Sequence, residues 1–266
     1  MMKSIIKKFG IGIILFCLMG SILFSYWRIM IFPKSHGVPI LCYHKISTDQ
    51  EAMSISPERF REQLDALRKM GYHSISLKEL GDLWAQGKDP LPGSLVITFD
   101  DGYENNYSVA QPILKEEGFS ATVFIIVDRK FRTDLLEWSE ITELRQEGWE
   151  IGSHSWSHVD LTIRPDYHGE VEIKKSRLEI AKRSGGEVGW FAYPYGALNE
   201  KTEKWVEKSG YQGAVTTRTG MADKMDGIYR LDRISITPNI LPTAFSLKLR
   251  IFKAEVAEFF RWILPS

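Results

Sequence analysis

From Gly37 onward the chain alternates short runs of β-forming apolar residues with stretches whose apolar residues recur at helical spacing, and no other feature constrains the fold as much. Val38 to Cys42 reads as a strand ending at Tyr43-His44. Ser56-Pro57 then supplies an N-cap and a first-turn proline for a helix that carries Phe60, Leu64 and Leu67 on one face and stops at Gly71. A short strand near 73–76 and a helix over 77–86 follow. The rhythm repeats through a strand from Leu95, a helix over 107–117 closed by Gly118, a strand over 121–127, a helix over 139–147 and a strand over 149–152. It continues with a helix over 167–183, a strand over 189–192, a helix over 199–209 and a strand over 212–216. Strands joined by helices run parallel, because the chain must cross back before each new strand. The expectation is an α/β fold with a parallel sheet covered by helices, either a barrel or an open doubly wound sheet. No internal repeat or low-complexity segment interrupts it.

The ends read differently. Lys3, Lys7 and Lys8 precede an uncharged run from Phe9 to Trp27, long enough to cross the ~30 Å hydrocarbon core as a helix, with Tyr26 and Trp27 at its edge. Residues 1–36 are therefore expected to be a cytoplasmic stub, a membrane anchor contacting the lipid bilayer, and a linker. The domain would lie on the extracytoplasmic side, or be secreted if the segment is cleaved. Residues 37–240 form the expected catalytic domain. Residues 241–266 carry an apolar and basic helical pattern, with Phe245, Leu249, Phe252, Val256 and Phe259 near one face. Lys plus Arg equals Asp plus Glu at 34 each, with no basic run beyond the N-terminus, so nucleic acid is not an expected partner. Cys42 is the single cysteine outside the apolar run that holds Cys17, which excludes a disulfide within the domain.

Three strand ends carry candidate chemistry. The buried strand from Leu95 to Phe99 ends in Asp100-Asp101, two carboxylates that resist desolvation together unless a cation, a donor network or a shared proton relieves them. After the strand at Trp149 comes Gly152-Ser153-His154-Ser155-Trp156-Ser157-His158. Turned helically, this segment would set His154 and His158 one turn apart on one face, a spacing suited to two imidazoles on one metal. One carboxylate and two histidines leave coordination positions open for water and substrate, and the second carboxylate can then act as a base. The third strand end is Phe191-Ala192-Tyr193-Pro194-Tyr195-Gly196. Here aromatics bracketing a proline make a rigid loop that could wall a sugar-sized groove and aim a backbone N–H into it. Trp156, Tyr193, Pro194 and Tyr195 are the candidate substrate-binding residues.

In this order, Thr98-Phe99-Asp100-Asp101-Gly102, His154-Ser155-x-x-His158 and Phe191-x-x-Pro194-Tyr195-Gly196 resemble the first three motifs of the polysaccharide deacetylases with the NodB homology domain, carbohydrate esterase family 4. The resemblance spans roughly residues 38 to 236. It implies a distorted (β/α) barrel that removes N-acetyl groups from amino sugars of an N-acetylated polysaccharide or oligosaccharide with the help of a divalent metal. Zinc is the first choice, and Co2+, Ni2+ and Fe2+ suit the same donors. Carried over residue by residue, Asp100 is the general base, Asp101, His154 and His158 hold the metal, and Tyr195 offers a backbone N–H to the oxyanion. All three motifs follow strand ends, where barrel active sites lie.

Two departures stand out. Where the family's third motif begins with an arginine that orients the base, this chain has Ala192, and no histidine follows His168 to supply the family's general acid. Some exopolysaccharide deacetylases of the family resemble circular permutations with the last motifs moved to the front, and Ile40-Leu41-Cys42-Tyr43-His44 fits that arrangement. His44 is therefore the candidate general acid. Arg233, in Leu231-Asp232-Arg233-Ile234, is the candidate for the missing arginine, with Arg230 and Arg218 competing. The same departures leave a degenerate glycan-binding or assembly module as the rival reading. A ferrous oxygenase site is a second rival, opposed by the adjacent Asp-Asp pair.

Overall fold

The computed structural model describes residues 37–238 other than 50, 131 and 166, together with residue 251. The expected membrane anchor within 1–36 and the expected tail helix lie outside the described residues. No helix among those described is long and apolar enough to cross a membrane.

Among the described residues there are ten strands, β1 (Ile40–Tyr43), β2 (Lys45–Ile46), β3 (Ser54–Ile55), β4 (His73–Ser74), β5 (Ser94–Phe99), β6 (Thr122–Ile125), β7 (Glu150–Ser153), β8 (Trp190–Ala192), β9 (Gly213–Thr219) and β10 (Leu231–Ser235). The helices between them are α1 (Pro57–Lys69), α2 (Leu77–Ala85), α3 (Gln111–Glu117), α4 (Trp138–Gln146), α5 (Ser176–Ser184) and α6 (Glu200–Lys208). Their starts follow the local chemistry. Ser56 and Ser76 accept the N–H of Arg59 and Glu79 to cap α1 and α2, Pro57 opens α1, and Asn199 and Thr202 form a reciprocal cap on α6. A left-handed glycine, Gly118 or Gly185, closes α3 and α5.

The sheet settles the choice between barrel and open sheet. The named strands all pair in parallel, in the order β1-β10-β9-β8-β7-β6-β5, and β1 pairs again with β5 to close a ring of seven strands. The short β4 takes the start of β5, leaving its end to β6. Strand β10 escaped the sequence reading because Asp232 and Arg233 break its apolar pattern. The two-residue ladder of β2 and β3 was too short to register.

Period two divides the side chains into two layers. Leu41, Tyr43, Ile97, Phe99, Val123, Ile125, Ile151, Phe191, Tyr193 and Ile234 face the helices. Ile40, Val96, Phe124, Trp190, Ala192, Val215 and Leu231 fill the barrel, with Ile75, Leu77 and Leu80 packed against them. Trp190 dominates that interior. A Cβ on Gly152 would lie 2.4 Å from the Phe124 ring, and one on Gly213 would lie 2.4 Å from the Trp190 ring, so these two positions admit no side chain. One step up the same strands, the inward positions change from apolar to polar and charged, namely Cys42, Thr98, Asp100, His154 and Arg233.

Candidate active site

The polar layer lies at the C-terminal ends of the strands, the functional end of parallel barrels. Asp100 is 1 % exposed and continues the inward series of Val96 and Thr98 on β5. Arg233, fully buried on β10, meets it with a bidentate pair: Nη1 donates to Oδ1 at 2.7 Å and Nη2 to Oδ2 at 2.6 Å. The guanidinium is itself held, with Nε donating to the Thr216 carbonyl at 2.7 Å and Nη1 to Thr98 Oγ1 at 3.0 Å. Burial raises the Asp100 pKa, but the charge and hydrogen bonds of Arg233, together with His154 and His44, outweigh it and hold the carboxyl well below the usual carboxylate range. Of the three arginines weighed from the sequence, Arg230 pairs with Glu203 and Arg218 with Asp232, while Arg233 reaches Asp100. It does so from the strand two places beyond β8, whose inward Ala192 is small.

His44 follows the last residue of β1. One of its ring nitrogens, an Asp100 carboxylate oxygen and Cys42 Sγ lie within 4.8 Å of one another. Its carbonyl accepts from Asn106 Nδ2 at 2.8 Å, while its Nδ1 is buried without a hydrogen bond. Burial lowers its pKa, against the opposing pull of Asp100 and Asp101. Cys42 was not a candidate from the sequence, yet its thiol donates to Asp100 Oδ2 at 3.5 Å. The available signal was its place on β1 two residues before His44, which continues the same alternation just past the strand and so shares the inward side.

Asp101, next to Asp100 in the chain, belongs to a different group. Its φ is 73°, which turns its carboxylate away from its neighbour's and toward two histidines. Oδ1 stands 3.6 Å from His154 Nε2 and 3.5 Å from His158 Nε2, and it is buried without a hydrogen-bond partner. His154 Nδ1 lies 2.8 Å from the Ala192 carbonyl, which can only accept, so Nδ1 carries the proton and Nε2 keeps its lone pair. Burial, followed by the neighbouring His154, pulls the His158 pKa down to about 4 and leaves it uncharged near neutrality. A tetrahedral ion with bonds of about 2.1 Å spaces its ligands about 3.4 Å apart. The three donor atoms therefore fit a divalent metal, and the orphaned oxygen is accounted for by one.

The helical turn expected over 154–158 does not form. The two histidines converge through an irregular loop with left-handed residues at Ser155 (φ 69°) and His158 (φ 57°), and their ring centroids end 4.8 Å apart. Asp101, Ser155, His158 and Tyr195 are the four non-glycine residues at positive φ among those described, and all four lie in this site or its walls. Such conformations cost about 1–3 kcal/mol each and collect where geometry matters more than stability.

The third motif is divided. Tyr195 is 66 % exposed and its ring stands edge-on to His158 at 4.6 Å, so the residue is at the mouth of the site. Tyr193 and Pro194 require correction as groove-lining residues. Tyr193 is fully buried on the helix-facing side, its hydroxyl donating to the Tyr229 carbonyl at 3.0 Å, and Pro194 is buried. The reason is period two: with Trp190 and Ala192 inside the barrel, Phe191 and Tyr193 must point out of it. Trp156 is half-buried in the histidine loop, its carbonyl accepting from Asp128 N–H at 2.7 Å. Beyond these, Arg132 reaches the rim, 3.9 Å from Asp101 Oδ2 and 3.2 Å from the Tyr103 hydroxyl. Burial and the Asp101 charge push the Tyr103 pKa up to about 12.

A closed parallel barrel whose C-terminal rim gathers an arginine-paired aspartate, a second aspartate and two histidines is an enzyme barrel with a hydrolytic donor set. Residues 87–214 match the family model for polysaccharide deacetylase. YxkH of Bacillus subtilis (strain 168), which carries the name of a polysaccharide deacetylase, is 32% identical over 220 residues, covering 83% of this chain and 78% of YxkH. The poly-beta-1,6-N-acetyl-D-glucosamine N-deacetylase of Escherichia coli (strain K12) is 28% identical over 245 residues. That match takes in 74% of this chain and 36% of the E. coli protein, so the chain spans about a third of it. Among solved structures, the Streptococcus pyogenes deacetylase PplD in complex with acetate superposes with a TM-score of 0.75 at 27% identity, over 81% of this chain and 98% of that one. The chain belongs to the polysaccharide deacetylase family.

Proposed function

We propose that this protein is a metal-dependent N-deacetylase of a bacterial envelope or exported polysaccharide rich in N-acetylated amino sugars. One observation carries the reading: Asp101 Oδ1 is buried and unpaired between two imidazole nitrogens at 3.5 and 3.6 Å, while the adjacent Asp100 is fully engaged by Arg233. Asp101, His154 and His158 hold the cation, zinc by first choice. When bound, it supplies Lewis-acid polarisation of the acetamide carbonyl and acidifies water.

The chain's own residues do the rest. Asp100 accepts the proton of the attacking water, and Arg233 keeps that carboxylate ionised and aimed. Tyr195, whose left-handed backbone turns at the mouth of the site, directs its N–H to the developing oxyanion. His44 protonates the leaving amine, so its position beside Asp100 replaces a histidine from the far end of the chain. Atoms balance as one water consumed, with acetate and a free amine released. The E. coli relative's printed substrate makes poly-β-1,6-N-acetylglucosamine the first glycan to try. The apolar run over 9–27 supports anchoring in the cytoplasmic membrane with the barrel outside, tested by whether the protein resists alkaline extraction of membranes.

The decisive experiment is acetate release from a panel of poly-N-acetylglucosamine, peptidoglycan and chitin oligomers, with Asp100→Asn as control. Release by wild type alone supports the proposal, and rates equal to the control on every glycan reject it. His44→Ala should lower turnover by about 100- to 10,000-fold with metal content unchanged; near wild-type turnover would remove His44 from its role.

A further inference from the structure

The histidine loop leaves β7 at Ser153 and reverses within five residues, using two left-handed non-glycine residues to do so. A conformation of that cost persists only where its surroundings hold it. One side is held by the backbone beyond β6, where Val127 N–H donates to the Ser155 carbonyl at 3.4 Å and Asp128 N–H to the Trp156 carbonyl at 2.7 Å. Within the loop the His158 N–H donates to Ser155 Oγ at 2.8 Å, and the other side is held by Glu172, which is 5 % exposed. Trp156 N–H donates to its carbonyl at 2.9 Å and to its Oε2 at 3.1 Å. Ser157 N–H donates to Oε2 at 2.9 Å and the Ser157 hydroxyl to Oε1 at 2.6 Å. Hydrogen bonds to a charged acceptor are about twice as strong as neutral ones.

Glu172 is itself set in place. It lies in a π-helical stretch, Glu170–Lys175, that leads into α5, a rare local geometry that recurs at functional sites. Ser176 Oγ donates to the Glu172 carbonyl at 2.7 Å and receives Ser153 Oγ–H at 3.0 Å, tying this stretch to the end of β7 where the loop begins.

We propose that Glu172 is a positioning residue for the metal centre, clamping the backbone of Trp156 and Ser157 so that His158 is presented to Asp101 beside His154. The proposal rests on the reading of Asp101, His154 and His158 as metal ligands. Glu172 touches neither metal nor substrate. It acts by fixing the loop before the ion arrives, so that binding does not have to order it.

Zinc titration of the purified, metal-free protein by calorimetry tests this, with folding followed by circular dichroism. Glu172→Ala should weaken zinc binding by about 10- to 100-fold. Glu172→Gln should restore most of that affinity, since one carbonyl oxygen can still accept both backbone N–H groups. Ile180→Val, a buried change in α5 away from the loop, should lower stability and leave zinc affinity unchanged. A folded Glu172→Ala protein that binds zinc as tightly as wild type overturns the proposal. Should that variant not fold, Glu172→Asp decides: it keeps the charge but is one methylene too short for both N–H groups, so weakened binding supports the clamp and wild-type affinity overturns it. The two readings fail separately. No zinc binding by wild type, or unchanged binding in His158→Ala, removes the metal centre and the clamp together. Binding lost in His158→Ala but kept in Glu172→Ala removes the clamp alone.

Discussion

Asp100 and Asp101 are neighbours in the chain and opposites in the fold. Asp100 sits on the inward face at the end of a regular strand, among residues carried by β1, β5 and β10, and its charge is answered within the protein by Arg233. Asp101 sits past the strand in a left-handed turn, facing a loop that is itself left-handed at two positions, and the oxygen it presents there has no partner. One half of the site is answered within the protein, and the other leaves a buried oxygen unpaired between two imidazoles. The contrast shows how two adjacent carboxylates avoid each other's cost: the strand delivers one to a buried arginine, and the turn rotates the other toward two imidazoles, with which it could share a cation.

The comparison can be broken at several points. Asp100→Asn should reduce acetate release by about 100- to 10,000-fold, as expected for a lost general base, while zinc affinity stays at the wild-type level. A parallel loss of zinc would show that the two halves are one unit. Arg233→Met should cost about 3–5 kcal/mol in denaturant unfolding of the metal-free protein, because it strands a buried carboxylate. Its pH dependence follows from the sign of the Asp100 shift. In the wild type, burial raises that pKa but Arg233 holds it below the unfolded value, so the stability it contributes is present above about pH 4 and lost as pH falls through the folded value. Without Arg233, burial loses its main opponent and the Asp100 pKa rises, so the variant gains less stability than the wild type as pH rises. The gap between the two proteins should be wider at about pH 7 than at about pH 4; a gap that does not change with pH contradicts the pairing.

Smaller effects sharpen the same contrast. Tyr193→Phe removes one hydrogen bond in the helix-facing layer and should cost about 0.5–1.5 kcal/mol with unchanged turnover, whereas a fall in turnover would return Tyr193 to the groove. His158→Ala should abolish tight zinc binding yet change the stability of the metal-free protein by less than about 1 kcal/mol, because Asp101 Oδ1 makes no hydrogen bond to its ring and only the edge contacts with His154 and Tyr195 are lost. A large loss of stability would mean that His158 is structural.

Much of this architecture is legible in the amino-acid sequence alone. The alternation of β-branched runs with helical spacing, the serine and proline at Ser56-Pro57, and the three motifs at strand ends all express local rules, in which period, capping and turn chemistry act within a few residues. Those rules determined the parallel α/β layout and the place of the motifs at one end of it, and they made Asp100, Asp101, His154 and His158 the candidate residues whose roles the family resemblance implied. They stopped where contacts are long-range. The ring closes because β1 pairs with both β5 and β10, and β10 was hidden by its own charged residues. Arg233 meets Asp100 across 133 residues of chain, and Glu172 meets the histidine loop from a separate helical stretch. The sidedness of Tyr193 was implicit in period two, but it needed the interior to be filled by Trp190 and Ala192 before it could be assigned. Local sequence thus nominated the residues proposed to carry the chemistry. The tertiary structure decided which of them are compensated, because the charge and hydrogen-bond partners that do so come from strands and turns the chain reaches only after it has closed the barrel.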